Sequence, residues 1–418
     1  MNLFKHCIAA FSGLLFVATL VSCGGGGGNG NGNLGGGGSG GSSGGGSTSS
    51  NAVAVSVTSG ATTQSINTLF TSVTICVPGT SNCQTIPNIQ VDTGSYGLRI
   101  LGSVLSLSLP TQTTGSGGVL LECLSFVDGY VWGPVALADV KLSGETAGSV
   151  PVQVIGDARY PNVPTDCSTL PGSEEDTVAA FGANGILGVG PFIQDCGQVC
   201  ADNVEQQAYY ACTSSVASSC TSVAAPLAQQ VQSVVALFHT DNNGVIIDLP
   251  AVADPAVGAS TLSGTMYFGI DTQTNNASGS QTVIATDNIG EFTIVFNGQN
   301  FTQSFIDSGT NGNFFSSSLP ACTQANYKNF YCPTATQSLS ATLRGLNGVT
   351  AVVPFGVANT YDMLNANPTF AVFPDLGGTY PGTTSTFDFG LPFFYGRRVA
   401  VALENVTTAA GAGPYFAF

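Results

Sequence analysis

The chain carries Val91-Asp92-Thr93-Gly94-Ser95, in which an apolar run delivers one carboxylate into a turn of small polar residues. A second copy of this pattern, Ile306-Asp307-Ser308-Gly309-Thr310, lies about half a chain later. A single Asp-Thr-Gly would be weak evidence, because Asp-x-Gly turns are common and mostly structural. Two copies in one chain predict a duplicated fold with two facing carboxylates.

Each copy is followed, at a similar distance, by an apolar stretch that ends in glycine. These followers are Ile186-Leu187-Gly188 after the first aspartate and Phe387-Asp388-Phe389-Gly390 after the second. Repetition of the whole arrangement favours duplication over coincidence. Asp92 and Asp307 are therefore the candidate catalytic residues.

Each position of the repeated motif has a chemical reason. Its glycine lacks a Cβ, so a tight turn can bring backbone N–H groups onto the carboxylate. Its last residue, Ser95 or Thr310, can donate a hydroxyl hydrogen bond to the outer carboxylate oxygen. The residue after each aspartate, Thr93 or Ser308, can hydrogen-bond to the opposite loop and tie the two halves together.

Two carboxyl groups about 3 Å apart cannot both ionise easily, so they share one proton and titrate at two separated apparent pKa values. The singly protonated pair can hold a water molecule, accept its proton and donate another proton to a carbonyl oxygen. Such a pair cleaves an amide without a metal ion, a histidine or a covalent intermediate. The motif therefore predicts a hydrolytic site with no cofactor.

Charged residues are scarce. Asp, Glu, Lys and Arg make up 8% of the chain, against roughly 25% in an average soluble protein. The remaining composition, rich in Gly, Ser, Thr, Val and Ala, is typical of a β-rich exported protein. The net charge of −16 argues against a nucleic-acid partner and against electrostatic binding to anionic lipid.

Histidine is nearly absent from the chain. The two histidines are His6, in the N-terminal apolar leader, and His239, beside an expected hairpin. One histidine in the mature chain excludes a multi-histidine metal site. A Ser-His-Asp triad would have to use His239, for which a surface or turn position is the simpler interpretation. No P-loop sequence is present.

Residues 1–22 are predicted to form a lipoprotein signal peptide. Lys5 gives a positive start to an uncharged stretch that is too short to span a membrane comfortably. The stretch ends in Leu20-Val21-Ser22-Cys23, which resembles a bacterial lipobox with Cys23 as the lipidated residue; an ordinary signal peptide with an unrelated cysteine is the alternative. Residues 23–50, nearly all Gly, Ser and Asn, are expected to be a flexible tether. This predicts an exported protein, lipid-anchored in the cell envelope at the outer membrane or cell surface.

From residue 51 onward the sequence predicts strands punctuated by Gly and Pro. Apolar and small polar residues alternate at 52–58, around 69–77 and at 86–91. The runs on either side of Asn243-Gly244 are typical of a β-hairpin. We expect an all-β chain with an N-terminal lobe at residues 51–271 and a C-terminal lobe at residues 272–418, each with one acid loop.

Ten of the 12 cysteines follow Cys23. An even number of cysteines in an exported chain indicates disulfide bonds. These cysteines are Cys76, Cys83, Cys123, Cys167, Cys196, Cys200, Cys212, Cys220, Cys322 and Cys332. Proximity suggests that Cys76 pairs with Cys83 and Cys322 with Cys332. The four cysteines between 196 and 220 are expected to pair within an insertion, which leaves Cys123 with Cys167. Sequence alone does not fix the pairing, and a metal site at those four cysteines is the alternative.

Three further segments resemble the pepsin-like aspartic peptidases. Gly185-Ile186-Leu187-Gly188-Val189-Gly190 is similar to the segment threaded behind that family's first catalytic loop. Ser263-Gly264-Thr265-Met266-Tyr267-Phe268-Gly269-Ile270-Asp271 resembles the strand before its second lobe, and Phe389-Gly390-Leu391-Pro392-Phe393-Phe394 resembles its closing segment. More narrowly, the chain resembles an uncharacterised group of bacterial lipoproteins. The resemblance implies a bilobal pepsin-like acid-protease fold, with Asp92 and Asp307 as its dyad in a cleft between two related β-lobes.

The resemblance also implies a hairpin flap near residues 121–133, and here the sequence departs from the family. Phe126 stands where a hydrogen-bonding tyrosine is expected, and Tyr130 is a second candidate for that role. Arg99 takes the place of the tryptophan that normally braces this tyrosine, and Leu391 replaces an aspartate of the closing segment. The dyad is therefore expected to be complete, whereas the flap differs.

Two functions of different classes fit these features. The first is a cell-envelope aspartic endopeptidase, in which the dyad activates water against a peptide or protein substrate in the interlobe cleft. The second is a catalytically inactive pepsin-fold protein that binds a peptide or an envelope component. A structural surface protein without a ligand is the remaining alternative. In each case we expect a monomer that contacts the membrane through its lipid anchor alone.

Overall fold

The structure is a computed structural model that describes residues 50–62, 65–115 and 117–418. Residues 1–49 lie outside the described residues. They include the expected signal peptide (1–22), the expected lipidation site Cys23 and all but the last residue of the expected tether (23–50). Within the described part of the chain, no helix has the length and apolar character needed to cross a membrane.

Short β-strands dominate the described residues. In the first half they are β1 (Ala52–Val57), β2 (Leu69–Cys76), β3 (Cys83–Asp92), β4 (Tyr96–Leu101), β5 (Val119–Ser125), β6 (Gly129–Leu142), β7 (Glu145–Ile155), β8 (Ser173–Glu174), β9 (Gly185–Val189), β10 (Tyr209–Cys212), β11 (Cys220–Ser222), β12 (Gly244–Leu249) and β13 (Leu262–Phe268). In the second half they are β14 (Val283–Ala285), β15 (Phe292–Phe296), β16 (Gln299–Ile306), β17 (Asn313–Phe315), β18 (Gln337–Arg344), β19 (Thr350–Val357), β20 (Gly377–Gly378), β21 (Phe387–Phe389), β22 (Arg397–Ala402), β23 (Thr407–Thr408), β24 (Gly411–Ala412) and β25 (Tyr415–Ala417).

The helices of the described residues are short. The α-helices are α1 (Thr165–Ser168), α2 (Val178–Phe181), α3 (Gln198–Asp202) and α4 (Thr360–Ala366). The 3-10 helices are Gly102–Val104, Ala217–Ser219, Leu227–Gln229, Val235–Leu237, Thr274–Asn276, Ala325–Tyr327 and Leu391–Phe394. The chain is therefore all-β, as the residue pattern predicts.

The strands expected from alternation near residues 52, 69 and 86 are present as β1, β2 and β3.

The prediction of a hairpin around Asn243-Gly244 is wrong. The segment before it forms the 3-10 turn Val235–Leu237, and β12 pairs with β13 and β22 instead. The Asn243 side chain explains the difference. Its amide donates to the carbonyl of Ile270 and accepts from the N–H of Ile270, which joins the start of β12 to the end of β13.

The two acid loops are built in the same way. β3 enters the first loop and is parallel to β9, whereas β4 leaves the loop and is antiparallel to β9. β16 enters the second loop and is parallel to β21, whereas β17 leaves it and is antiparallel to β21. In both halves the follower strand thus lies between the strands that enter and leave the loop. This is the duplicated bilobal arrangement implied by the resemblance to pepsin-like peptidases.

The two halves are joined by a continuous sheet and a shared core. In the sheet, β1, β13, β12, β22 and β25 are neighbours in that order. β12 pairs with β22 along its whole length, from Gly244 opposite Ala402 to Leu249 opposite Arg397. One large cluster of buried apolar side chains contains residues of both halves, among them Leu98 and Phe301. The position of one acid loop relative to the other is therefore fixed by extensive packing.

The cysteines expected to be oxidised all form disulfide bonds. The pairs are Cys76–Cys83, Cys123–Cys167, Cys196–Cys200, Cys212–Cys220 and Cys322–Cys332. This is the pairing that proximity along the sequence suggested. The alternative of a metal site in the insertion is wrong, because its four cysteines are bonded to each other in pairs.

The hairpin of β5 and β6, which is the expected flap, is held along both edges. β5 pairs with β10 of the cysteine-rich insertion, and the disulfide Cys123–Cys167 ties β5 to α1. At the hairpin tip, β8 pairs with the start of β6. The contact is so close that a Cβ on Gly129 would lie 2.5 Å from the carbonyl oxygen of Ser173. The hairpin is therefore part of a larger sheet and not a free two-stranded flap.

A buried charge cluster anchors the base of this hairpin. Arg99 on β4 has 0% exposure and donates to Glu122 of β5 at 2.6 Å and to Asp195 of the insertion at 2.9 Å. The hydroxyl of Tyr209 donates to Asp195 at 2.8 Å. Burial, followed by the charge of Glu122, raises the pKa of Asp195 well above its usual value. One guanidinium group thus connects the strand that leaves the first acid loop with the hairpin and the insertion.

We expect Arg99→Met to lower the free energy of unfolding by about 3–5 kcal/mol at pH 7, because it leaves two buried carboxyl groups without their cation. Chemical denaturation of the disulfide-intact protein measures the change. Arg159→Met is the matched control, since the Arg159 side chain is 55% exposed beside Asp157. Loss of an exposed pair costs at most about 1 kcal/mol. Equal effects of the two substitutions would contradict an anchoring role for Arg99.

Candidate active site

Asp92 ends β3 and Asp307 directly follows β16, and the packed halves bring these two acids together. Both residues have 0% exposure, and the carboxyl group of each acts directly on the pKa of the other. Gly309 shows how closely the loops approach. A Cβ at that position would lie 2.4 Å from Oδ1 of Asp92 and 3.0 Å from Oδ1 of Asp307. The second motif therefore needs glycine because the acid of the other loop occupies the space.

The acid loops are tied to each other by reciprocal hydrogen bonds. The Thr93 hydroxyl accepts from the N–H of Ser308 at 2.9 Å and donates to the carbonyl of Ile306 at 3.0 Å. The Ser308 hydroxyl accepts from the N–H of Thr93 at 3.1 Å and donates to the carbonyl of Val91 at 2.9 Å. All of these bonds are buried, and each loop makes the same contacts as the other. The structure thus brings Thr93 and Ser308 into the cross-loop contacts that the sequence suggested.

Local hydrogen bonds orient each carboxyl group. The N–H of Gly94 donates to Oδ1 of Asp92, and the N–H of Gly309 donates to Oδ1 of Asp307, each at 2.7 Å. The Thr310 hydroxyl donates to Oδ2 of Asp307 at 2.9 Å. The glycine and the last hydroxyl of the second motif therefore hold both oxygens of its acid.

The first acid is held differently. Ser95 lies close enough to Asp92 to favour the ionised carboxylate, but its Oγ makes no hydrogen bond of ordinary geometry within the described residues. Oδ2 of Asp92 is buried and likewise receives no hydrogen bond from an N–H or O–H group there. The two carboxyl groups are thus chemically distinct although their loops are alike.

Burial raises the pKa of both acids, and different neighbouring groups act on the pKa of each acid. For Asp307, the charges of Asp92 and Asp388 add to burial and raise the pKa well above its usual value. For Asp92, burial raises the pKa, while the neighbouring Asp307 carboxyl group, the nearby Ser95 hydroxyl and the N–H of Gly94 oppose the shift. The neighbours of the pair therefore favour protonation of Asp307 more than protonation of Asp92.

A third carboxyl group, that of Asp388, lies beside the pair. Asp388 is 2% exposed on the follower strand β21 and lies near Thr310, whose hydroxyl donates to Asp307. Burial raises its pKa well above the usual value. A role for this residue was not predicted, because Phe387-Asp388-Phe389-Gly390 was interpreted only as an apolar follower. The available signal was an acid in the middle of an otherwise apolar strand.

A cleft opens beside the first acid loop. It is lined by Thr93, Gly94, Tyr96, Pro191, Ile289, Gly290, Glu291, Phe305, Ile306 and Phe416. Burial, followed by the charge of Asp287, raises the pKa of Glu291 to about 7. The cleft wall is therefore largely apolar, with one carboxyl group that is neutral under acidic conditions.

The flap candidates Phe126 and Tyr130 have packing roles. Phe126 is 4% exposed and packs edge to face on Phe181 of α2. Tyr130 is 7% exposed and lies in a separate cluster with Trp132 and Tyr210. In the described part of the chain, no hydrogen bond joins either side chain to the acid pair. Both flap candidates are thus packed among aromatic side chains of the hairpin and its neighbours.

The chemistry available to this site follows from its groups. It contains two buried carboxyl groups with raised pKa values, backbone N–H donors and a hydroxyl donor. Across the described residues, no group of three or more His, Cys, Asp or Glu side chains is arranged to hold a metal ion. The arrangement supports general acid–base chemistry on a polar bond placed against the two acids.

Comparisons with known proteins bear on the family. No curated protein matches the chain. A solved structure that matches is the aspartic proteinase from Irpex lacteus, with 16% sequence identity, coverage of 88% of this chain and 96% of that chain, and a TM-score of 0.49. A family model matches residues 47–418, so the chain belongs to the family described as "Protein of unknown function (DUF3443)".

Proposed function

We propose that this protein is an aspartic-type endopeptidase in which Asp92 and Asp307 activate a water molecule. The observation that carries the proposal is the pair of reciprocally bonded loops, which hold two buried carboxyl groups close together. Burial and mutual repulsion let such a pair retain one proton over a wide pH range. One acid can then accept a proton while the other donates one.

In the proposed mechanism, Asp92 is the general base and Asp307 the general acid. Asp92 takes a proton from water as the water oxygen attacks the peptide carbonyl carbon, and Asp307 gives its proton to the carbonyl oxygen. The resulting neutral gem-diol then collapses. Asp92 passes its proton to the leaving nitrogen, Asp307 recovers a proton from a diol hydroxyl, and the C–N bond breaks. Both acids return to their starting protonation states.

The substrate we propose is an extended peptide with apolar residues beside the scissile bond. Tyr96, Ile289 and Phe305 give the cleft beside the first acid loop an apolar wall, and such walls favour aliphatic and aromatic side chains. The net charge of −16 and the carboxyl group of Glu291 disfavour acidic side chains at neutral pH.

Binding without turnover is the second candidate function. It is favoured by the 0% exposure of both acids and by the pairing that holds the hairpin along both edges. In this alternative the cleft holds a peptide or an envelope component, and the acids serve to bond the two loops. Ligand binding would then be indifferent to a single Asp→Asn change.

We further propose that the protein acts as a monomer, exported and lipid-anchored in the bacterial cell envelope at the outer membrane or cell surface. The support is the sequence alone, through the predicted signal peptide (1–22), the lipobox-like Cys23 and the Gly/Ser-rich tether (23–50). A tether of this composition allows a folded body to stand away from a bilayer.

We expect Asp92→Asn or Asp307→Asn to lower peptide turnover by about a thousandfold or more, because each removes a proton acceptor or donor from the pair. The soluble chain from residue 51 is assayed with a mixed peptide library at acidic and neutral pH, with and without a statine-type inhibitor. Asp362→Asn, an exposed carboxylate on α4, is the control and should keep full activity. Full activity in either acid-pair variant excludes the pair as the catalyst, whereas peptide binding without cleavage in the wild type supports the second candidate.

We expect Asp388→Asn to move the alkaline limb of the pH–activity profile down by about one pH unit. The negative charge of Asp388 raises the pKa of Asp307, so its removal lets the pair lose its shared proton at a lower pH. The dependence of kcat/KM on pH measures the shift, again with Asp362→Asn as the control. An alkaline limb that stays in place or moves up would show that Asp388 does not act on the pair.

The same acids predict how stability depends on pH. Burial raises the folded-state pKa of Asp92, Asp307 and Asp388, so the folded chain binds protons more tightly than the unfolded chain does. Their contribution to stability is fully present at low pH and is lost as pH rises through the folded-state pKa values. We expect the free energy of unfolding to decrease from pH 5 to pH 8, and to decrease less in Asp388→Asn. Denaturation curves at several pH values test this, and a steeper decrease in the variant would refute it.

We expect Cys23→Ala to release the full-length protein from the membrane fraction, because the attached acyl chains supply its membrane affinity. Metabolic labelling with a fatty acid and cell fractionation compare the variant with the wild type. A wild-type protein that takes up no label would rule out the anchor.

A further inference from the structure

A second cavity lies behind the strand that supports the second acid loop, and residues of both halves line it, among them Val252 and Phe355. β21 directs Asp388 toward the acid pair, and its next residue, Phe389, lines this cavity on the opposite face. The cavity has a volume of about 220 Å³. A water molecule needs only about 10–15 Å³ measured in this way, so the space is much larger than a packing defect.

The cavity contains a polar group that the fold leaves unsatisfied. Asn313 on β17 lines it, is 1% exposed, and has no hydrogen-bond partner for either Nδ2 or Oδ1 among the described residues. Asn313 stands directly opposite Phe389 in the antiparallel pairing, and side chains paired in this way lie on the same face of a sheet. The unsatisfied amide therefore belongs to the face that forms the cavity. A buried amide without partners is costly, which is a reason to expect a ligand that supplies both a donor and an acceptor.

Two opposite charges line the same cavity. In the described structure, the carboxyl group of Asp375 makes no hydrogen bond or ion pair, and burial raises its pKa to about 6, so it is ionised at pH 7. A Cβ on Gly356 would lie 2.1 Å from Oδ1 of Asp375, so glycine at that position leaves the carboxyl group its space. Arg397 donates to the carbonyls of Phe393 at 2.5 Å and Pro354 at 3.4 Å. An arginine has five N–H donors, so others remain for an anion.

The rest of the wall is apolar and rigid. It includes the rings of Phe355, Phe389, Phe393 and Tyr395 together with four prolines. Arg397 is held in place over the Phe393 ring at 4.7 Å. An apolar wall with a few fixed polar groups is the usual composition of a small-molecule site.

We propose that this cavity binds a zwitterionic peptide of dipeptide size with an apolar or aromatic side chain. The ligand carboxylate pairs with Arg397, its ammonium group with Asp375, and its amide with the amide of Asn313. Its side chain packs on the aromatic wall. The site does not include the acid pair, and the proposal stands whether or not the protein is a peptidase.

The test is a calorimetric titration of the protein with L-leucyl-L-phenylalanine at pH 7. We expect saturable binding at one site, weakened about tenfold or more when the dipeptide is N-acetylated or C-amidated, because each change removes one charged partner. The Asp92→Asn/Asp307→Asn double variant should bind the dipeptide as the wild type does. Loss of binding in that variant would place the dipeptide in the acid cleft and overturn the proposal.

Variants of the cavity give an independent test. We expect Arg397→Met, Asp375→Asn and Asn313→Leu each to weaken binding about tenfold or more. Asn313→Leu should leave the melting temperature unchanged or higher, since it removes an unsatisfied buried amide. Arg344→Met and Asp362→Asn, exposed residues of the same half, are the matched controls and should bind normally. Absence of saturable binding at millimolar dipeptide, or equal affinity for the free and blocked peptides, would refute the site even if a cavity variant failed to fold.

Discussion

Each acid loop supplies hydrogen-bond partners to buried backbone N–H and C=O groups of the other loop. The Thr93 and Ser308 hydroxyls both accept from an N–H of the opposite loop and donate to a carbonyl there. A buried donor or acceptor left without a partner costs roughly 1–3 kcal/mol, so neither loop can be buried alone at this position. The shared sheet, in which β12 pairs with β22 along its full length, holds the halves where these bonds can form. These hydrogen bonds between the loops bring the two carboxyl groups close together. They do not involve the carboxyl groups, so they form whether or not the acids are ionised.

The features that the sequence predicted well are those encoded locally or by repetition. The two Asp-centred motifs, their glycine-ended followers and the close cysteine pairs each require only short segments and their order in the chain. The features that it missed depend on contacts between distant segments. Nothing near Asn243 in sequence indicates that its amide binds Ile270, and nothing near Arg99 reveals that it joins Glu122 to Asp195. Asp388 was visible as an acid in an apolar strand, but its relation to Asp307 depends on the parallel pairing of β16 with β21.

The scarcity of basic residues shapes the electrostatics of the interior. The chain has eight Lys and Arg residues against 24 Asp and Glu residues, and Arg99, one of the few, is buried at the base of the hairpin. Its charge only weakly opposes the rise in the pKa of Asp92, behind burial and the local hydrogen bonds. The acid pair is therefore surrounded by dipoles and other carboxyl groups instead of cations. Such an environment favours the protonated forms of the acids.

β21 contributes to both the acid pair and the second cavity. The carbonyl of Phe389 accepts from the N–H of Asp307 at 2.9 Å, so the backbone of this strand helps to position the second acid. The ring of the same residue lines the cavity that contains Asn313. Packed strands of this kind shift as units, because close-packed interiors leave little room for independent movement. The backbone of Phe389, which supports Asp307, and its ring, which lines the cavity, are therefore held by the same packing.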